Sequence, residues 1–364
     1  VFVAWRDLRF AKGRFALMGT VIVLITVLVG LLSGLTAGLG RENTSAVTSL
    51  PADHLVFSAP AQGDDVSFTD SHLSAETAER WAGVPGVDRA EPLGIATTKA
   101  ESGARNAALS AFGVRPGSGL APESRAIADG AAVLSEEAAD ELGVRAGDRF
   151  TLAGQRLRVA AVSGEAMYSH TPVVWTSLDD WQRVGGGPAA ARGTGGSTVL
   201  ALTAEGAGAG ALTAADEKLG TKTVSSADAL RAIGSFTAEN GSLQLMRGFL
   251  FAISALVIGA FFTVWTIQRS GDVAVLKALG ASTRYLLKDA LGQAVVLLVL
   301  GTGLGTALAA GVGAAVGGTV PFVLEPATVL VPALIMIALG AVGAALSIRR
   351  ITSVDPLTAL GSAR

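Results

Sequence analysis

Four apolar runs, each long enough to cross a bilayer, constrain this chain more than any other feature. They occupy residues 15–40, 245–267, 286–320 and 327–348, and about 20 apolar residues suffice for one helical crossing. A bilayer interior offers no water to backbone N–H and C=O groups, so such runs must be helices. Composition agrees. Of the 364 residues 50% are hydrophobic and only 16% are charged, against about 25% charged in an ordinary soluble domain. The third run is long for one crossing. Its glycine-rich end (Gly301, Gly303, Gly305, Gly311, Gly313, Gly317, Gly318) reads as a bend or an outer extension.

Charge sets the expected orientation, because lysine and arginine concentrate in cytoplasmic flanks. Arg6, Arg9, Lys12 and Arg14 precede the first run, and Arg269, Lys277, Arg284 and Lys288 separate the second from the third. Arg349, Arg350 and Arg364 follow the fourth, whereas the connection between the third and fourth carries only Glu325. Residues 1–14, 268–288 and 349–364 are therefore expected in the cytoplasm, and 41–244 outside. The first run exceeds the roughly 7–15 residues of a signal-peptide core, which favours an uncleaved span over a cleaved signal.

Segment 41–244 holds 25 acidic and 16 basic residues, a net charge of −9. Its pattern is mixed α and β. Strands are expected at 54–58, 106–112, 131–134, 149–152, 157–162, 172–176 and 198–203, and helices at 74–82, 135–142, 177–184 and 211–219. Residues 185–196 form a glycine-rich loop, and 226–247 read as a helix entering the second run. The expected fold is thus four transmembrane helices with one α/β extracellular domain between the first and second.

Several chemistries are excluded. The chain has no cysteine and only three histidines (His54, His72, His170). It contains no G-x-x-x-x-G-K-[ST], H-E-x-x-H or G-x-S-x-G pattern, so an enzyme with its own nucleotide site, catalytic zinc or serine nucleophile is not expected. No intrinsic cofactor and no nucleic-acid partner is indicated.

Between the second and third runs, residues 272–280 read as a short amphipathic helix. Val273, Leu276, Ala278 and Leu279 recur at helical spacing, Asp272 lies in the first turn, Lys277 near the end, and Gly280 stops it. A cytoplasmic loop that is merely helical is the plain alternative. The stretch D-V-A-V-L-K-A-L-G-A-S resembles the E-I-x-x-L-[RK]-A-[LI]-G-A-[ST] segment of FtsX/MacB-type permeases, the membrane subunits of one class of ABC transporters; Asp272 stands where that family has Glu. L-G-V-R-A-G-D-R-F-T-L (142–152) and V-D-P-L-T-A-L (354–360) are similar to further segments of the family. A-W-R-D-L-R-F-A-K-G-R-F (4–15), L-S-G-L-T-A-G-L-G (32–40) and Y-S-H-T-P-V-V-W (168–175) resemble its haem-exporting (Hrt-type) and DevC-like branch.

The resemblance implies a homodimeric permease in a bacterial cell membrane, paired with two copies of a separate ATPase that binds the ATP. Asp272, Val273, Val275, Leu276, Lys277, Ala278, Leu279 and Gly280 would dock on that ATPase, beside an N-terminal amphipathic segment (Phe2, Trp5, Leu8, Arg9). Movement would pass up spans one and two, squeezing out a hydrophobic substrate that enters laterally. The alternative is transmission without transport, controlling an extracellular partner such as a cell-wall hydrolase or sensing peptide antibiotics.

Two residue sets remain. Gly30, Gly34 and Gly38 recur every four residues, which lets helix backbones approach closely in lipid. They read either as packing against span two or as a dimer seam, and the resemblance favours the seam. Phe236, Glu239, Leu243, Met246 and Leu250 share one helix face. Met246 and Glu239 offer donor atoms for a haem iron, with Tyr168, Phe236 and Leu243 as further contacts; the plain alternative is a methionine in core and a solvated glutamate. The resemblance carries haem-permease ligands best onto Met246, then Glu239 and Tyr168.

Overall fold

A computed structural model describes residues 12–185, 196–204, 206–268, 271, 275–277 and 279–352, with the side chains of 12, 14, 15, 283, 287 and 348–352 excepted. The chain divides into an outer unit, Leu39–Asn240, and a membrane unit comprising the residues on either side of it.

The outer unit is built on a mixed sheet of ten strands among the described residues: β1 (His54–Ser58), β2 (Arg89–Ser102), β3 (Arg105–Val114), β4 (Ala131–Leu134), β5 (Arg149–Leu152), β6 (Gln155–Val162), β7 (Met167–Tyr168), β8 (Thr171–Ser177), β9 (Val199–Thr203) and β10 (Thr221–Ser225). Their order is β10-β1-β9-β2-β3-β8-β4-β6-β5, with β7 paired to β8. β3–β8 and β4–β6 are parallel. Ala100 and Glu101 of β2 also pair with Leu152 and Thr151 of β5, closing one end of the sheet on itself.

Helices α2 (Ala75–Ala82), α3 (Glu136–Leu142) and α4 (Leu178–Arg183) each start behind a serine cap. The hydroxyls of Ser74, Ser135 and Ser177 accept from the N–H of Thr77, Ala138 and Asp180, satisfying donors a helix start leaves unpaired. A fourth helix of this unit, α5, covers Ala209–Leu219. Inside the closed end, Trp181 is fully buried. It lies on Gly94 and Gly113, which face each other across β2 and β3. A Cβ on Gly94 would fall 2.3 Å from the indole ring, and one on Gly113 2.4 Å from the Trp181 Cβ.

Several segments depart from the sequence expectation, which included neither β7 nor β10 as strands. The helix expected from 226 starts at Gly234, because Thr221–Ser225 pair with β1 and Asp228–Ala232 form a 3₁₀ turn. The 14-residue β2 was not expected as a strand, since Pro92 and Gly94 interrupt its pattern.

In the membrane unit, α1 (Lys12–Thr48), α6 (Gly234–Gln268), α7 (Thr283–Val316) and α8 (Pro326–Thr352) are long and apolar enough to cross a bilayer; the outer ends of α1 and α6 belong to the outer unit. Met18, Ile22 and Val29 of α1 share a core with Ile258, Phe262 and Trp265 of α6, Leu297 and Leu298 of α7, and Met336 of α8.

The glycines of the third run do not break α7. Gly301 and Gly305 admit α1: added Cβ atoms would lie 2.9 Å from Ile22 and 2.7 Å from Thr26. Gly30, Gly34 and Gly38 are likewise occupied within the chain. Their Cβ positions would meet Ala309 at 2.8 Å, the Phe322 ring at 2.3 Å and the Pro321 carbonyl at 2.0 Å. The small-residue stripe therefore seats the third span and the connection after it within this chain, and not span two.

Replacing Gly113 with valine should lower the stability of the outer unit by about 1–3 kcal/mol, the usual cost of forcing side-chain atoms into a packed core. Thermal unfolding of the detergent-purified chain, followed by tryptophan fluorescence, checks this; an unchanged transition would mean that Trp181 has room to move.

Candidate functional site

The densest polar cluster lies in the outer unit, where the β7–β8 hairpin meets the ends of α1 and α6. The hairpin turns in two residues, Ser169 and His170, with φ of +50° and +60°. A two-residue hairpin of this kind needs positive φ at both positions, normally supplied by Asn or Gly; here each costs about 1–3 kcal/mol. Compensating contacts are present. The N–H groups of Ser169 and His170 donate to the Asn43 and Glu42 carbonyls at 3.1 and 3.3 Å. Ser45 Oγ accepts from the Met167 N–H at 2.9 Å.

The His170 ring then bridges two carboxylates. Nδ1 lies 3.2 Å from Glu42 Oε2 on α1, and Nε2 lies 2.9 Å from Glu239 Oε2 on α6. Asn43 Nδ2 donates to Glu239 Oε2 at 3.0 Å and lies 2.7 Å from Nε2. Asn43 Oδ1 accepts from Ser235 Oγ at 2.6 Å, and Ser235 Oγ sits 2.8 Å from Ser169 Oγ. Nε2 thus has a partner in either protonation state, donating to Glu239 when charged and accepting from Asn43 when neutral.

Burial pushes the His170 pKa down, but the hydrogen bonds and charges of Glu239 and Glu42 outweigh it and leave it raised. Acidic groups crowd this corner. Glu137 on α3 has its own pKa raised by burial and then by the charges of Glu141, Glu42 and Asp140, and Arg41 pairs with Glu165 at 3.2 Å.

Of the expected haem contacts, Tyr168, Phe236 and Glu239 belong to the outer unit, and Leu243 and Met246 to the membrane unit. Tyr168 is buried, packed edge-to-face with Phe68 and Phe112 at centroid distances of 5.9 and 5.5 Å. Burial raises its hydroxyl pKa above the phenolic range. Tyr168 thus lies within the outer unit's core, and Phe236 is partly buried against it. Glu239 is engaged by His170 and Asn43. Met246 is half-exposed, and Leu243 is partly exposed one turn before it.

Beyond Met246 the surface of α6 is apolar. Leu245, Phe249, Ile253 and Leu256 are 63, 61, 56 and 74% exposed and fall at steps of four, four and three, so they share a face.

Of the expected docking stretch, Asp272, Val273 and Ala278 lie outside the described residues, as do Phe2, Trp5, Leu8, Arg9 and the closing 354–360. Val275, Leu276 and Leu279 are 56, 43 and 79% exposed, and Lys277 is partly buried. Gly280, at φ +93°, ends the turn with its N–H on the Lys277 carbonyl.

Comparison with known proteins gives this arrangement a family. Residues 15–219 match the MacB-like periplasmic core domain, and residues 245–356 match the FtsX-like permease C-terminal domain. The chain belongs to the FtsX/MacB family of ABC transporter permeases. Proteins named hemin transport system permease HrtB in Staphylococcus haemolyticus and Staphylococcus epidermidis are 25 and 24% identical, each alignment covering 99% of both chains. An uncharacterized ABC transporter permease of Mycobacterium tuberculosis is 26% identical, also over 99% of both. Among solved structures, the extracellular domain of the transporter YknZ is 14% identical over 48% of this chain and 98% of that one, with a TM-score of 0.35.

Sequence reading singled out Glu239 but missed Glu42, Asn43 and Ser235 as its neighbours. The available signal was R-E-N at the end of the first apolar run, with the Y-S-H-T turn.

The pH dependence has a definite sign. His170 has a raised folded pKa, so its contribution to stability is complete below the unfolded value of about 6.5 and is lost as pH rises through the folded one. The stability difference between wild type and His170→Gln should therefore shrink between pH 6 and pH 9, read as the gap between their thermal midpoints. A gap constant over that range contradicts the bridge.

Proposed function

We propose that this chain is the permease subunit of an ABC efflux transporter that removes haem, or another hydrophobic molecule, from the membrane. A separate ATPase subunit supplies the energy by mechanical transmission. The observation that carries the reading is the continuous apolar face of α6 from Leu245 to Leu256, with the Met246 sulfur at its start, in a chain aligned end to end with relatives named as hemin permeases. A cargo dissolved in the bilayer needs no aqueous pore to reach such a face. Thioether sulfur is an established haem-iron ligand.

Met246 is the iron ligand in this reading, with Leu243 beside it. Glu239 lies seven residues earlier, about 10 Å along the helix, and is available to iron only after leaving His170 and Asn43. In the same reading, two copies of the chain assemble with two ATPase subunits in a bacterial cell membrane. Both termini and the 268–288 connection face the cytoplasm, and the acidic domain faces outward. The exposed Val275, Leu276 and Leu279 meet the ATPase.

Two measurements test this. Haem titrated into the detergent-purified chain should give a saturable Soret band that weakens at least tenfold in Met246→Ala. Leu279→Asp should abolish co-purification of the ATPase subunit while leaving haem binding intact. Haem binding that is absent or indifferent to Met246 would favour transmission without transport. Retained ATPase association in Leu279→Asp would remove the docking role.

A further inference from the structure

Arg247 follows Met246 directly and is the one charged residue inside the apolar run 245–267. Its side chain is partly buried, and its Nε is buried without a hydrogen-bond partner among the described residues. It also makes no ion pair among them. The described acids of the membrane unit lie elsewhere: Asp289 accepts from Gln293 Nε2 at 3.0 Å, and Glu325 sits in the connection before α8. Leu250 and Phe251, three and four residues on, pack against the membrane unit's core. Arg247 shares their side of the helix, so its guanidinium stands at the margin of apolar packing and not on an open polar surface.

An ionised side chain in a membrane helix is costly and as a rule answers a partner of opposite charge. None is supplied within the described chain. Guanidinium groups match carboxylates, donating two parallel N–H bonds in one plane. Consecutive residues on a helix point about 100° apart, so the Met246 sulfur and the Arg247 guanidinium cannot both reach a small anion. A broad, flat molecule lying against that surface can meet both.

We propose that Arg247 is the anion-binding element of the cargo site, taking a carboxylate of a hydrophobic, acid-bearing macrocycle whose metal or apolar centre lies at Met246. The assignment rests on the efflux reading above and narrows its substrate class: the cargo is an amphipathic acid, and a neutral lipid or an uncharged hydrophobe is a poor substrate.

Haem and haem dimethyl ester separate the two ideas, because they share iron and macrocycle and differ in the carboxylates. Both are titrated into the detergent-purified full chain by absorbance, using wild type, Arg247→Gln and Arg247→Lys. The wild type should bind haem about tenfold more tightly than the ester, the low end for a charge-assisted hydrogen bond. Arg247→Gln should bring that ratio close to one with the ester affinity unchanged, and Arg247→Lys should keep most of the preference. An unchanged ester affinity shows that the variant is folded. Equal affinities for haem and ester in the wild type, or a preference that survives Arg247→Gln, overturns the role of Arg247 and leaves the haem reading standing, with Arg247 an anchor to lipid headgroups. Failure of the wild type to bind either ligand overturns the haem reading and this assignment with it.

Discussion

Backbone hydrogen bonding in a medium without water is the constraint on which the rest depends. It makes every apolar run a helix, and α1 and α6 are longer than any bilayer requires. At 37 and 35 residues, α1 and α6 are about 55 and 52 Å long, against a hydrocarbon core of about 30 Å. The excess is not idle. Residues after Gly38 in α1 and before Gly241 in α6 belong to the outer unit, and these ends carry Glu42, Asn43, Ser235 and Glu239. The hairpin tip at Ser169 and His170 is held in positive φ against them. A stiff helix and a strained turn are thereby fastened by charge-assisted bonds, which are stronger than neutral ones.

Surface chemistry divides the labour between the units. Every exposed large hydrophobic residue among those described lies in the membrane unit, and the outer unit has none. An acidic domain with a polar exterior suits solvent and offers no apolar patch to a greasy cargo. In the proposed efflux reading, a hydrophobic cargo is met on the membrane helices, where the exposed apolar residues lie. On the membrane helices, α6 combines an apolar face with a thioether and, in the adjacent position, a guanidinium that has no ion-pair partner among the described residues.

Much of the outer unit was legible in the sequence because local signals and tertiary structure agree. Ser74, Ser135 and Ser177 mark three helix starts, and β1, β4 and β5 occupy the expected residues. β2 was hidden because Pro92 and Gly94 interrupt its pattern, and Gly94 serves a tertiary need: it makes room for Trp181, which no local pattern announces. The Gly30, Gly34 and Gly38 stripe was recognised as a close-packing surface, but a small-residue pattern does not specify which helix it receives, and Phe322 and Ala309 proved to be the partners. The site was less legible. Face-sharing on one helix grouped Phe236, Glu239 and Met246, yet the fold gives each a different environment. The partners of Glu239 lie 69 and 196 residues away, beyond any local reading.

Transport itself is the central claim, and moving cargo tests it most directly. The chain, reconstituted with its ATPase subunit into haem-loaded vesicles, would be supplied with ATP and a haem-scavenging apoprotein in the medium facing the acidic domain. The account predicts ATP-dependent transfer of haem from bilayer to scavenger, lost in Met246→Ala while ATP hydrolysis continues. Brisk ATP hydrolysis with no haem movement in the wild type would contradict it and identify a permease that transmits force without carrying a substrate.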